Sequence, residues 1–174
     1  GSVAHVDPAA DIPACLLALG AVAEVRSARG TRSVPLTDFF TGSFTSVLAD
    51  DELLVAVELP AASGNYGSAY RKFEQAASGY ALAGVAAVVG RSAGGRGTFD
   101  RVMLGVTGVG DYPYRASAAE AAFLRTGDPA AAAELVTEGI SVGSDMHADR
   151  EYRTALVKVQ ARRALQVEIG RAHV

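Results

Sequence analysis

A single cysteine, Cys15, is all the thiol that this 174-residue chain carries. One thiol excludes an internal disulfide framework and any iron–sulfur cluster held by the chain's own ligands. Cys15 sits in the apolar run Ile12-Pro13-Ala14-Cys15-Leu16-Leu17-Ala18-Leu19, with nothing nearby to lower its pKa, and reads as buried and inert. Histidine is scarce too: there are three, and His5 and His147 are too isolated to argue a metal site or a catalytic triad. No metal ligand and no catalytic residue are therefore assigned. The chain also lacks a basic surplus, since 16 Lys and Arg against 19 Asp and Glu leave a net charge of −3. That balance argues against nucleic acid as a partner. No apolar stretch is long enough to span a bilayer, and no charged-then-apolar leader opens the chain, so a cytoplasmic protein without a membrane span is the default.

What is present suits a packed core: 49% of residues are hydrophobic and 20% charged. Residues 9–19 read as a helix, with an Asp near its start, Pro13 in its early turns and Gly20 as a stop. A hairpin follows, with strands over 21–27 and 31–35 and a turn at 28–30. Residues 36–40 make a helical turn, and Leu53–Leu59 is a strand closed by Pro60. The stretch 61–67 is loop and marks a boundary. Beyond it, 68–73 is extended, 81–89 is a buried strand, 90–97 is a Gly- and Arg-rich turn, and 99–107 pairs back. Helices are expected over 116–125, over 129–140 with Asp128 as N-cap, and over 152–167. Strands followed by helices predict an α+β second half. No internal repeat is visible.

Two segments carry chemistry. In the first, Gly1-Ser2-Val3-Ala4-His5-Val6-Asp7-Pro8-Ala9-Ala10-Asp11, small residues at the start suit a turn whose backbone N–H groups approach a pyrophosphate. Helix capping by Asp7 or Asp11 explains the same residues without any ligand. The second contains Ala69-Tyr70-Arg71-Lys72-Phe73, then Gly79-Tyr80-Ala81. A cation at Lys72 suits a redox ring that gains negative charge, and an aromatic at Tyr80 suits stacking on it. A solvated strand charge and a half-buried tyrosine are the plain alternatives. Arg71 points away from Lys72 along an extended chain. Gly105-Val106-Thr107-Gly108-Val109-Gly110 has its glycines in the reverse order of a dinucleotide fingerprint and reads as a turn. Ser78, Ser92 and the other serines lack a His/Asp partner pattern, and Arg150, Arg153 and Arg162-Arg163 read as the solvated face of a helix or a docking surface.

Together the two segments resemble the FAD-binding medium subunit of the molybdenum hydroxylases, the family of aerobic carbon-monoxide dehydrogenase and the xanthine dehydrogenases. The resemblance implies an α+β chain: the second half of a PCMH-type FAD-binding domain over 1–64, then a flavoprotein C-terminal domain of small antiparallel sheet plus helices over 65–174. It implies that Gly1 and Ser2 end a Gly-Gly-Ser turn against the FAD phosphates. Asp11, nine residues beyond Ser2, is a cofactor contact, and Asp7 is left as a cap. It further implies Lys72 beside the flavin ring, Tyr80 over one face of it and an apolar contact from the leucine pair, with Leu54 favoured over Leu53. Ser2, Asp11, Leu54, Lys72 and Tyr80 are then expected to line one concave surface.

The function implied is electron transfer from iron–sulfur clusters on a small subunit, through FAD on this chain, to an acceptor. The molybdenum cofactor would sit on a large subunit, where the substrate is chosen. A non-catalytic assembly or docking module of such a complex is the alternative. A stand-alone FAD oxidoreductase of the cell-wall reductase type lacks a candidate proton donor. Both ends read as cut: Gly1 stands where an initiator methionine would be, and residues 168–174, His173 included, resemble a sequencing adapter. Removal of a preceding subdomain would expose aliphatic side chains near Val3, Val6 or the edge of the Leu53–Leu59 strand, and would weaken FAD binding.

Overall fold

The structure is a computed structural model that describes residues 1–61, 65–91 and 99–171, with the side chains of 65 and 168–171 outside that description. Most of the expected turn at 90–97, the middle of the loop at 61–67 and the tail 172–174 fall outside the described residues.

Helix α2 (Asp11–Leu19) is built from small and apolar residues, and Gly20 ends it at φ 71, donating its N–H to the carbonyls of Leu16 and Leu17. Pro13 is its third residue, where no intrahelical N–H bond is lost. The N-cap is Ala10, which offers no side-chain acceptor. Neither aspartate caps it: Asp7 accepts from the Ala9 N–H at 2.9 Å and closes the turn before the helix, which corrects the capping expectation. The opening segment also differs from the plain turn expected, because Ser2–His5 forms one helical turn, α1, ending at Val6 with φ 54. That turn folds Val3 and Val6 inward, to 6% and 0% exposure, so of the positions expected to be exposed it is those of the 53–59 strand, Leu53, Val55 and Leu59, that are.

Strands β1 (Val22–Ser27) and β2 (Gly30–Pro35) form the hairpin, with Gly30 already paired to Ser27, so the turn is Ala28-Arg29 alone. Strand β5 (Leu53–Glu58) pairs with β1 on its other side, giving the order β2-β1-β5, all antiparallel. Helix α3 (Leu36–Phe39) and the short pair β3 (Phe40–Gly42) and β4 (Thr45–Ser46) close this part over a core that includes Val6, Leu17, Val25, Leu36 and Phe39.

A separate four-stranded antiparallel sheet follows: β6 (Asn65–Glu74), β7 (Ala81–Arg91), β8 (Phe99–Thr107) and β9 (Tyr114–Arg115), in that order. Helices α4 (Ser117–Thr126), α5 (Pro129–Glu134) and α6 (Arg150–Arg171) join Phe123, Ala132, Val157 and Leu165 to its buried face. Asp128 caps α5 by accepting the Ala130 N–H at 2.8 Å. The helix stops at Glu134 rather than running to residue 140. Beyond it the backbone tightens into i to i+3 bonds at Leu135, Val136 and Glu138, and the Tyr114 hydroxyl takes the Val136 carbonyl. Helix α6 starts two residues early because Asp149 accepts the Tyr152 N–H at 2.7 Å.

Helix α2 belongs to both parts. Leu17 enters the first core, while Ala18 packs with Ala86 and Val88 of β7. Its backbone lies so close to β8 that a Cβ on Gly105 would overlap the Ala14 carbonyl oxygen. Replacement of Gly105 by Ala must therefore lift the helix from the sheet, with an expected loss of about 3 kcal/mol. Urea unfolding of G105A measures this, and a stability equal to wild type would refute the contact.

Candidate functional site

The alternation of β6 sorts its side chains between two helices. Tyr70 and Lys72 face α2, whereas Phe73 turns the other way and meets Tyr152 of α6 edge-on, ring centroids 6.3 Å apart. Because Asp11 is the first residue of α2 and caps nothing, its carboxylate is free to receive both. The Tyr70 hydroxyl donates to Oδ1 at 2.5 Å and the Lys72 ammonium to Oδ2 at 2.9 Å. Lys72 also donates to the Gly79 carbonyl at 2.7 Å and lies 3.3 Å from the Glu74 carboxylate.

Each partner is held from elsewhere. Tyr70 lies over Gly84 of β7, where a Cβ would overlap its hydroxyl. The β6–β7 turn closes through the Gly79 N–H on the Gln75 carbonyl at 2.8 Å, with Gly79 at φ 73. The segment leading to Asp11 is clamped by the turn after β8. Gly108 donates its N–H to the Pro8 carbonyl at 2.7 Å, and the Thr107 hydroxyl is shared between the carbonyls of Pro8 and Ala10 at 2.9 and 2.8 Å.

The electrostatics follow from this packing. Burial first, then the bond to Asp11, pushes the Tyr70 hydroxyl well above its ordinary pKa. The hydrogen bond to Asp11 raises Lys72, with Glu74 adding to it. Burial, and the charge of Asp11 one turn away, raise the Cys15 thiol, which is half-buried where a buried thiol was expected.

Of the six residues singled out in the sequence, Asp11 and Lys72 are in direct contact, and Tyr80 directly follows the glycine whose carbonyl Lys72 holds. Tyr80 is 52% exposed and lines a cleft of about 320 Å³ with Asp7, Gln75, Asp145 and His147. Gly1 and Ser2 are exposed at the start of α1, and a Cβ on Gly1 would meet nothing within 4 Å. Leu54 is half-buried against the first core while Leu53 stands 70% exposed. Among the described residues no hydrogen bond or ion pair joins Gly1, Ser2 or Leu54 to the Asp11 group.

Sequence reasoning gave no site role to three residues of this region, and it read one of them, Arg153, as part of a solvated helix face or a docking surface. Tyr70 shares a strand face with Lys72, and period-two alternation was the signal that pointed to it. Arg153 is not on a solvated face: it is 7% exposed and donates to the carbonyls of Leu82 at 3.1 Å and Gly108 at 2.6 Å and to Asp145 at 2.5 Å. Burial alone would raise Asp145, but the N–H groups of His147 and Ala148 and the Arg153 guanidinium outweigh it and hold that carboxyl below its ordinary value. Arg153's two carbonyl partners lie 45 and 71 residues away, beyond any local pattern. Gln75 brings its amide to 3.1 Å from the His147 ring, tying the Tyr80 turn to the loop before α6. Among the described residues no group of three or more His, Cys, Asp or Glu could hold a metal ion. None of the helices of the described residues is long and apolar enough to cross a membrane.

Comparison with known proteins bears on both parts. Residues 1–62 match the FAD binding domain in molybdopterin dehydrogenase, and residues 68–167 match the CO dehydrogenase flavoprotein C-terminal domain. The chain is 34% identical over 172 residues to the nicotine 6-hydroxylase medium subunit of Paenarthrobacter nicotinovorans, covering 98% of this chain and 59% of that protein. It is 32% identical over 179 residues to the carbon monoxide dehydrogenase medium chain of Afipia carboxidovorans, covering 99% of this chain and 60% of that one. The solved structure of carbon monoxide dehydrogenase from Hydrogenophaga pseudoflava superposes with a TM-score of 0.90 at 32% identity, over 98% of this chain and 60% of that one. The chain thus spans about three-fifths of the length of the relatives it matches.

The Lys72–Asp11 contact sets a pH window. A lysine whose folded pKa is raised adds stability that is fully present below the unfolded value of 10.5 and is lost as pH rises through the folded value. Substitution Asp11→Asn removes the main cause, so the Lys72 ammonium should titrate at a lower pH in the variant. Nuclear magnetic resonance of the lysine side chains across about pH 9–12 follows the direction of this change. Identical titration in both proteins would show that the contact does not exist in solution.

Proposed function

The chain belongs to the family of FAD-binding medium subunits of molybdenum hydroxylases, and from that premise we propose that it transfers electrons from iron–sulfur clusters, through FAD, to an acceptor. The observation that carries the proposal is the Asp11–Lys72 ion pair, which brings the two cofactor-type segments of the sequence to one place. The partners in this reading are a large molybdenum-binding subunit and a small iron–sulfur subunit. We place the boundary between its two domains at residues 64 and 65.

The residues present fit the cofactor. Gly1 has open space where a Cβ would stand, so backbone can approach a pyrophosphate. Lys72 retains 19% side-chain exposure, enough to present an ammonium to a ring edge. Tyr80 offers a half-exposed aromatic face beside it. When bound, FAD supplies the redox chemistry of accepting electrons and passing them on.

This chain's residues supply the surroundings. The Lys72 ammonium favours negative charge at the reducible ring, and Asp11 fixes its position while tempering its field. Tyr80 stacks on the ring and keeps water off one face. Gly1 and Ser2 take the phosphates, and the half-buried Leu54 gives an apolar contact. No residue is asked to break or form a bond to substrate. Exposed Leu53, Val55 and Leu59 favour the second reading, a docking module, because they leave an apolar edge on β5.

The test uses the subunit at the full length of its relatives. Wild type should retain flavin absorbance through gel filtration. Lys72→Gln should lower the flavin midpoint potential by about 30 mV or more, equivalent to ~1.4 kcal/mol for a two-electron couple. An unchanged potential would remove Lys72 from the site. Absence of flavin from the wild type would favour the docking reading.

A further inference from the structure

The face of β6 turned away from Asp11 carries a second constellation. Between β6 and α6 lies a groove of about 500 Å³ lined by Arg71, Lys72, Gln160, Arg163, Gln166 and Val167. Positions 160, 163 and 167 share one face of α6, and Arg71 shares with Phe73 the strand face that meets that helix. The Lys72 ammonium is engaged by Asp11 and Gly79, so Arg71 and Arg163 supply the groove's available charge. Both are exposed, and among the described residues neither guanidinium has a hydrogen bond or ion pair.

Gln160 is the unusual member. Only 4% exposed, it reaches the groove and its side-chain amide has no partner among the described residues. The residue is buried as a whole, but its amide atoms stay open to the groove, so an oxyanion entering between the two arginines can take the amide N–H as a donor without displacing a protein partner. The chain as a whole carries net charge −3, so this basic groove is a local arrangement and not a property of the composition.

We propose that this groove is a phosphate-binding subsite. Arg71 from the strand and Arg163 from the helix clamp the oxyanion from two walls, and the Gln160 amide donates to it from the floor. Planar guanidinium forks match phosphate oxygens, and the volume suits a diphosphate or a nucleoside diphosphate. The subsite opens on the α6 side of β6, reaches Lys72 at its margin, and does not depend on the flavin reading.

The experiment titrates the full chain with inorganic pyrophosphate, with ADP and with adenosine at low, constant ionic strength, following backbone amide resonances. Saturable shifts centred on Arg71, Gln160 and Arg163 are expected with pyrophosphate and ADP, and none with adenosine. Equal affinity for the two identifies a plain phosphate site, and tighter ADP binding identifies a nucleotide site. Substitutions Arg71→Gln and Arg163→Gln should each weaken binding about tenfold or more. Arg162→Gln, on the same helix but outside the groove, should change it less than about twofold. Gln160→Ala, checked for folding by circular dichroism, should weaken binding with the charge unchanged. An R162Q loss equal to that of R163Q would mean unspecific charge attraction and would overturn the proposal. Lack of saturable pyrophosphate shifts would also overturn it, and would leave the groove to an acidic segment of a protein partner.

Discussion

Helix α2 can present Asp11 to β6 only because β8 has no side chain at Gly105. Any Cβ there would occupy the position of the Ala14 carbonyl oxygen, so the absence of one atom sets the distance between the N-terminal helix and the second sheet. The consequences run in both directions along the helix. At its C-terminal end, Leu17 fills the first core and Ala18 the seam to β7. At its N-terminal end, Asp11 is brought within hydrogen-bond reach of Tyr70 and Lys72, 59 and 61 residues later in the chain. The two parts are therefore joined by a close backbone contact and a shared carboxylate, and among the described residues no strand passes between their sheets.

The shared carboxylate explains why the helix starts without a side-chain cap. An aspartate at the first position is favourable to the helix dipole wherever its oxygens point. Here both oxygens leave the helix for another element, and the N-terminal segment is fixed instead by Gly108 and Thr107 holding the Pro8 and Ala10 carbonyls. Capping was the simplest local use of Asp7 and Asp11, but tertiary partners outweighed it for Asp11. Asp7 closes a turn two residues long. Val6, a β-branched residue at φ 54, is held in an unfavourable conformation in the same segment. Its carbonyl accepts the N–H of Phe44, itself at φ 54, so the two strained residues share one hydrogen bond.

Legibility in the sequence followed the range of the interactions. The hairpin, the strand at 53–58, the buried strand at 81–91 and the cap at Asp128 rest on alternation, turn residues and a neighbouring N–H, and all were readable. Helix α5 was read too long because its end depends on Tyr114, from β9, taking the Val136 carbonyl. Arg153 was placed in solvent because a cation on a helix is usually there. Its burial depends on carbonyls from two separate strand ends. The Asp11–Lys72 meeting was legible only through family resemblance, since nothing local in either segment points to the other. Tyr70 could have been read from strand alternation once Lys72 was placed.

Alternation on β6 also separates two kinds of chemistry by the thickness of one strand. Tyr70 and Lys72 serve the face toward α2, and Arg71 and Phe73 the face toward α6. A slip of one residue would exchange the faces, turning Arg71 toward Asp11 and Lys72 toward α6. Two features oppose it. Tyr70 fits only over a residue without a Cβ, and Gly84 provides that space at the position paired with Lys72. The turn ends in Gly79, whose positive φ sets its carbonyl toward the Lys72 ammonium. The ladder's register shift lies between Phe73 and Glu74, at the turn end of the strand, and the pairing from Asn65 to Phe73 is regular. Among the described residues β6 is the edge of its sheet, and no further strand pins it from outside. The register therefore rests on Gly84 and the Gly79 turn. With it rests the placement of lysine on one face and arginine on the other.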